Sequence, residues 1–345
     1  MNTRRQLELL DLHPEIENVT REVCEGLQKQ QKSLSPKYFY DERGSELFEA
    51  ITQLDEYYPT RTELALFDAH LPDIADLIGA GSCVIEYGSG SSLKIRKLLE
   101  ALSPLAYVPV DISRDYLLSN AMALAQDFPQ LTVLPVCADF SQSIALPEQV
   151  GGLNPIGFFP GSSIGNFEPA QAKQFLGRVA NTLGSGGYFL IGVDCKKDPA
   201  VLERAYNDEE GITAAFNLNA LSHLNHLLGA EFQLDAFEHE AHYNQEAGCI
   251  QMFLRSTARQ QVSIGDSIFA FDDGERLHTE NSYKYSPDEL IRLAEDSGFG
   301  FEHLWQDADE YFGLYLLKAN MESPILTCCR AVLRRNIWMH PASWL

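Results

Sequence analysis

The stretch from Cys83 to Arg96, CVIEYGSGSSLKIR, constrains the fold more than any other. Cys83, Val84 and Ile85 form an apolar run of the kind found in a buried parallel strand. The run breaks at Gly88, Ser89 and Gly90, after which Leu93, Ile95, Leu98, Leu99 and Leu102 recur at helical spacing. Strand, glycine turn and helix in that order let a ligand approach bare main chain beside the positive end of a helix. A dinucleotide fingerprint would need a third glycine at position 93, where helix and strand pack closely, and the chain has Leu93. Nicotinamide binding is therefore disfavoured. Glu86 stands two residues before the first glycine, and Asp111 ends the next apolar run, Tyr107 to Val110, about twenty residues on. Two acids at neighbouring strand ends suit a nucleoside whose ribose hydroxyls need an acceptor and which carries a short cationic tail. The plainer alternative is an ordinary strand-to-helix turn.

Position also singles out Asp139 and Phe140. The run Leu131 to Val136 reads as a further strand, and an acid followed by an aromatic at its carboxyl end can bond an adenine amino group and stack on the ring. Further strands are expected at Ile156 to Phe159, which leads into the loop Pro160 to Asn166, and at Tyr188 to Val193, closed by Asp194; a helix begins after Pro169. Strands alternating with helices imply a doubly wound parallel sheet. From Asp198 to Leu228 the pattern turns helical, with Ile212, Phe216, Leu221, Leu224 and Leu228 on one face. Extended stretches follow at Phe232 to Tyr243, Cys249 to Ser256 and Gln261 to Phe271. A parallel sheet needs nothing of this kind between its fifth and sixth strands, so residues 196–284 are expected to be an inserted domain. A helix from Pro287 to Asp296 and strands near Phe301 to Trp305 and Phe312 to Leu317 would complete the first domain.

The chain opens with an amphipathic helix over residues 14–28, carrying Ile16, Val19, Val23 and Leu27. An aromatic segment follows, with Tyr38, Phe39, Tyr40, Phe48, Tyr57 and Tyr58, read either as a hydrophobic staple between domains or as a lid over a ligand. The expected organisation is thus an N-terminal helical segment, 1–60, packed with the insert; a donor-binding domain, 61–195 and 285–318; the insert, 196–284; and a C-terminal tail, 319–345. Composition narrows the partners. A formal net charge of -23 over 345 residues argues against nucleic acid, because phosphate contacts need clustered Lys and Arg. No apolar run is long enough to span a bilayer, and the N-terminus lacks a signal-peptide core, so a cytoplasmic monomer is expected, with no membrane partner. Seven cysteines without CxxC spacing suit reduced, packed thiols rather than disulfides or zinc.

Six separated blocks carry a more specific signal: PKYFYDERGSELFEAIT, EYYPTRTE, EYGSGSS with Lys94 and Arg96, GSSIGNFEP, DPAVLERAYND with EGITAAFN, and TENSYKY. Together, over roughly residues 15–318, they resemble the histidine-specific Nα-methyltransferases that make the betaine hercynine for ergothioneine biosynthesis. The resemblance implies a class I methyltransferase α/β fold, a doubly wound sheet with an inserted α+β substrate domain, and S-adenosylmethionine as methyl donor, with no metal. It places donor contacts at Tyr40, Gly88, Lys94, Asp111, Asp139 and Phe140. The amino acid would be held by Tyr57, Gly161, Asn166, Tyr206 and Thr213, of which Tyr57, Asn166 and Tyr206 are the catalytic set, and the imidazole by Met252, Glu280 and Ser282. A carboxylate and a hydroxyl match the two imidazole nitrogens, and methionine supplies an adaptable apolar wall. The chain departs from the family at Phe159 and Pro160, which precede Gly161, and at Asn281 between the two ring-binding residues.

Three other readings compete. A relative acting on another amino acid, tryptophan above all, would want a roomier apolar pocket without a buried acid. A silent donor-binding protein would bind the donor without turnover. A metal protein would use His223 with His226 or His239 with His242, although the second pair falls on opposite faces of a strand. No His or Lys within the six blocks presents itself as a base for the substrate amine, and a tyrosine is a poor base near neutral pH.

Overall fold

The computed structural model describes residues 7–79, 81–90 and 92–320; the tail beyond residue 320, with Cys328 and Cys329, lies outside the described residues. In chain order the first elements are β1 (Leu10–Asp11), α1 (Ile16–Gln28), α2 (Glu42–Ile51), α3 (Tyr58–Ile78), β2 (Ser82–Tyr87), α4 (Ser92–Leu102), β3 (Ala106–Asp111) and α5 (Arg114–Asp127). There follow β4 (Thr132–Val133), β5 (Val136–Cys137), β6 (Asn154–Phe159), α6 (Pro169–Leu183) and β7 (Tyr188–Asp194). Next come α7 (Pro199–Arg204), α8 (Ile212–Leu228), β8 (Phe237–Asn244), β9 (Cys249–Ser256), β10 (Gln260–Ile264), β11 (Ser267–Phe271) and β12 (Arg276–Tyr283). The chain closes with α9 (Pro287–Glu295), β13 (Phe299–Gln306) and β14 (Phe312–Ala319).

One mostly parallel sheet runs in the order β1, β5, β3, β2, β6, β7, β14, β13, with β4 also paired to β3 and β14 antiparallel to its neighbours. Helices cover both faces, so each central strand is buried on both sides and reads as a continuous apolar run. Residues of β2 and β3 alternate between the faces. Val84 and Tyr107 join Leu66 and Phe67 of α3 and Leu98 and Leu99 of α4. Cys83, Ile85, Val108 and Val110 join Phe175, Leu176 and Val179 of α6. The strand order reverses between β2 and β6, which opens a crevice at their carboxyl ends, where Gly88 and Gly90 lie.

The chain leaves this sheet after Asp194 and returns at Tyr285, where Cys195 and Tyr285 bridge. Between them, β12, β9 and β8 form an antiparallel sheet and β10 with β11 a hairpin. A third apolar core holds these together with α8 and with Val19, Val23 and Leu27 of α1. Residues 32–34 lie along the free edge of β12, with the Leu34 N–H donating to the His278 carbonyl at 2.9 Å.

Several expectations are corrected. The strand expected over Leu131 to Val136 is two short strands, because Pro135 has no N–H to donate to the ladder. The helix expected from Asp198 to Leu228 is α7 and α8, broken where Gly211 takes a left-handed conformation and the Asp208 carboxylate accepts the N–H groups of Ile212 and Thr213. The stretch from Gln261 to Phe271 is a hairpin that turns at Gly265, and the strand expected from Phe232 begins at Phe237. β12 and the two-residue β1 were not expected at all.

Candidate active site

A cleft of about 510 Å³, counting its open mouth, lies where the aromatic segment, the loop after β6 and the second sheet meet. Tyr40, Tyr57, Gly161, Asn166, Tyr206, Thr213, Met252, Glu280 and Ser282 all line it. Each arrives by a local device. Gly161 and Ser162 both have positive φ, turning the chain after β6 into the short 3-10 turn Ser163–Asn166. Ser162 pays for no glycine freedom; its hydroxyl accepts the Asp194 N–H at 2.9 Å, which fixes the strained residue. β12 is bulged between His278 and Glu280, so Glu280 and Ser282 face the cleft while Asn281 and Tyr283 face outward and donate to the Glu168 carboxylate at 2.6 and 2.7 Å. The unusual Asn281 therefore anchors β12 to the start of α6 and points away from the cleft. Met252 is paired with Glu280 across β9 and is buried.

Within the cleft the expected residues contact one another. The Asn166 amide donates to Glu280 at 3.1 Å, and the Tyr206 and Ser282 hydroxyls are 2.8 Å apart. The Tyr57 and Tyr206 rings meet edge to face, with Phe48 beyond Tyr57 and Phe216 against Tyr40, so the cleft is closed by aromatic faces. Burial pushes the Glu280 carboxyl up to about 7, with the Lys284 charge pulling back. Burial also holds the Tyr40 and Tyr57 hydroxyls far above the ordinary tyrosine range. Tyr206 is raised by burial as well, although Lys284 opposes the shift.

Behind this wall lies a cluster that sequence reasoning missed. Lys284 is buried and donates to the Tyr206 hydroxyl at 2.9 Å and the Ser282 hydroxyl at 3.0 Å, and its ammonium is 2.8 Å from the Asp194 carboxylate. Lys197 also pairs with Asp194, and the Tyr58 hydroxyl donates to both Asp194 oxygens at 2.7 and 2.9 Å. Burial opposes the charge on Asp194, but Lys284 and Lys197 outweigh it and hold the carboxyl below its usual range. The only hint in the sequence was that Lys284 sits at the end of TENSYKY with the parity of Glu280 and Ser282.

The second group of expected residues gathers at the carboxyl ends of β2, β3 and β5. A Cβ on Gly88, whose φ is +75°, would meet the Phe140 ring at 3.4 Å, whereas one on Gly90 would meet nothing within 4 Å. The main chain there is open to a ligand. The Asp111 carboxyl accepts the Ser113 N–H at 2.8 Å and is pushed up to about 6 by desolvation; that of Glu86, buried under Tyr107 and Ser89, is pushed up to about 7. Lys94 pairs with Glu63, a fully buried carboxylate from α3 that also accepts the Gly161 N–H at 3.0 and 3.1 Å. Glu63 was likewise missed, and it ties the loop after β6 to the lysine. Asp139 is held below its usual range by Lys37 at 3.1 Å, which outweighs its burial. The Tyr40 carbonyl accepts the Ser113 hydroxyl at 2.7 Å and so joins the two groups. Acceptors for ribose hydroxyls and for an adenine amino group, a glycine turn without side chains and a lysine for a carboxylate are the set an adenosyl amino acid needs, and these residues fit S-adenosylmethionine.

Three of the four histidines considered as metal ligands have other partners. The His223 ring bonds the Tyr38 carbonyl at 2.9 Å, His239 bonds the Tyr206 carbonyl at 2.9 Å and Asn217 at 2.8 Å, and His242 stacks on Phe253. One cluster of metal-ligating types, Asp11, His13 and Cys137, lies at the β1 to β5 edge among the described residues. There Asp11 pairs with Arg114, and burial raises the Cys137 thiol to about 12, away from the thiolate a metal needs. The five described cysteines are free thiols, and no described helix is long and apolar enough to cross a membrane.

Comparison with known proteins identifies the family. The family model described as histidine-specific methyltransferase, SAM-dependent, matches residues 19–319. The histidine N-alpha-methyltransferase of Mycolicibacterium smegmatis is 39% identical over 306 residues, covering 87% of this chain and 94% of that protein. Its counterpart from Mycobacterium tuberculosis is 40% identical over 302 residues, covering 86% and 93%. Ergothioneine biosynthesis protein 1 of Neurospora crassa is 35% identical over 296 residues, 83% of this chain but 33% of that longer protein.

Proposed function

This chain belongs to the SAM-dependent, histidine-specific methyltransferase family, and from that premise we propose that it methylates the α-amino group of L-histidine, up to the trimethylated betaine hercynine, as the first step of ergothioneine biosynthesis. The observation that carries the choice of substrate is the placement of Glu280 and Ser282 on one face of β12, inside a cleft whose lining also includes aromatic rings, Met252, Asn166 and Thr213. A ring with one nitrogen to donate and one to accept satisfies both residues. An apolar ring would leave a buried acid with the Asn166 amide as its one donor among the described residues, at a cost of about 1–3 kcal/mol.

S-adenosylmethionine, when bound, supplies a methyl group on a positively charged sulfur for transfer to the amino nitrogen. The chain supplies position. Asn166, Tyr57 and Tyr206 are assigned to the carboxylate and amino group of the substrate, Glu280 and Ser282 to the ring, and Gly161 and Thr213 to the surrounding wall. Holding two reactants in near-attack geometry contributes about 7–11 kcal/mol. Phe48, Phe216 and the tyrosine rings supply an apolar wall around the reacting atoms. The amine must shed a proton before each transfer. Burial keeps Tyr40, Tyr57 and Tyr206 protonated near neutral pH, so none of them is the base, and the proton goes to water. Three rounds also demand a grip on the amine that does not require two of its protons.

The donor contacts are assigned to Tyr40, Gly88, Lys94, Asp111, Asp139 and Phe140, and the substrate unit to residues 196–284 with the N-terminal segment. The same reading makes the protein a cytoplasmic monomer that works without metal, so dialysis against a chelator should leave turnover unchanged. Mass spectrometry of histidine incubated with the donor and the protein tests the whole: one, two and three added methyl groups are expected in succession. Inert histidine beside methylated tryptophan would overturn the assignment of Glu280.

A further inference from the structure

We propose that Lys284 is a positioning residue that makes the active site specific for a neutral imidazole, by forcing the Ser282 hydroxyl to act as a donor toward the ring. The inference rests on the histidine reading above and deepens it. The Lys284 ammonium has three protons and three partners: Asp194 at 2.8 Å, the Tyr206 hydroxyl at 2.9 Å and the Ser282 hydroxyl at 3.0 Å. An ammonium only donates, so both hydroxyl oxygens accept from it. Those oxygens are 2.8 Å apart and share one further hydrogen bond. A phenol is a stronger donor than an aliphatic alcohol, so Tyr206 gives its proton to Ser282; the Ser282 oxygen then accepts twice, and what it offers the cleft is its own proton.

Two residues along the same face of β12, Glu280 presents a carboxylate, which accepts. The pair therefore reads one donor and one acceptor, the pattern of a neutral imidazole in a single tautomer. Without the cation, Tyr206 and Ser282 are free to rotate and present either a lone pair or a proton, and the polarity of the site is lost. Asp194, Lys197 and Tyr58 hold Lys284 in place; the side chains of Lys284 and Asp194 are each 1% exposed. Lys284 does not line the cleft and acts on it through the Tyr206 and Ser282 hydroxyls.

The test compares histidine with β-(3-thienyl)alanine, an amino acid of similar shape whose ring neither donates nor accepts a hydrogen bond, in the parent, in Lys284→Met and in Lys284→Leu, two apolar replacements that leave Asp194 paired with Lys197. Binding of S-adenosylhomocysteine by calorimetry verifies that each variant is folded. The expected result is a loss of about tenfold to a hundredfold in kcat/KM for histidine, with thienylalanine nearly unchanged, so that the preference for histidine collapses. Rates that fall together for both substrates, histidine turnover that is unaltered, or loss of homocysteine-product binding in both variants would each overturn the proposal. Failure of the parent to methylate histidine would instead sink the proposed function, so the two failures are distinguishable.

Discussion

Glu280 is the side chain whose ionisation matters most for substrate choice, because burial holds its carboxyl near 7, where the proton is shared with solvent at physiological pH. The ionised form accepts from a ring N–H more strongly than the neutral carboxyl does, so kcat/KM for histidine should rise with pH through about 7. Glu280→Gln should flatten that limb and lower the rate about tenfold to a hundredfold. A pH-rate profile that keeps its limb in the variant would show that another group is titrating. The same shift bears on stability. The folded state holds this proton more tightly than the unfolded chain, so it binds more protons between about 4.5 and 7, and stability is lost as pH rises through that window. Glu280→Gln should therefore gain on the parent above pH 7 by about 3 kcal/mol, read from denaturant midpoints at pH 5 and pH 8. Of the residues around it, Tyr57, Asn166, Tyr206 and Ser282 were legible in the sequence because each stands in a recognisable block. Asp194, Lys197 and Glu63 were not. Glu63 meets Lys94 and Gly161, and Asp194 meets Lys284, in segments remote in the chain, and a buried ion pair between distant segments leaves no periodicity to read; Lys197, three residues from Asp194, belongs to no pattern of its own.

At the scale of elements, the parallel sheet was legible because its strands are buried on both faces and announce themselves as apolar runs, whereas β12 was not. Its inward positions include Glu280 and Ser282, since they face a ligand cleft instead of a core, and RLHTENSY therefore lacks the alternation of a half-buried strand. The break between α7 and α8 was hidden in a similar way: the apolar face of α8 runs on smoothly from Ile212, and only the capping by Asp208 and the left-handed Gly211 end the preceding segment. One contact between elements sets the geometry of the cleft. Gly165, in the turn that ends at Asn166, lies against β12 so closely that a Cβ would stand 2.6 Å from the Tyr283 carbonyl oxygen. Gly165→Ala must push the turn off the strand, at a cost of about 1–3 kcal/mol in stability. Asn166 moves with the turn, so KM for histidine should rise while the affinity for S-adenosylhomocysteine is kept. An unchanged KM would mean that Asn166 does not touch the substrate.

Across the whole molecule, three acids are raised by desolvation: Glu86 and Asp111 at the carboxyl ends of neighbouring strands of the parallel sheet, to about 7 and about 6, and Glu280 on the second sheet, to about 7. The chain as a whole carries a formal net charge of -23, so the surroundings reinforce the preference of these groups for their protons. A cationic ligand reverses that preference. A positive charge brought beside a raised carboxyl lowers its pKa, and protons held by the empty protein near pH 6.5 must then leave. Binding of S-adenosylmethionine should therefore release roughly one proton at that pH, while S-adenosylhomocysteine, which lacks the sulfonium charge, should release fewer. Above pH 8.5 the acids are already ionised and the release should vanish. Calorimetry in buffers of different ionisation enthalpy measures the number directly, as the slope of observed enthalpy against that of the buffer. Equal slopes for the two ligands would mean that the sulfonium does not approach these acids, and the electrostatic link between the donor end and the substrate end of the cleft would have to be abandoned.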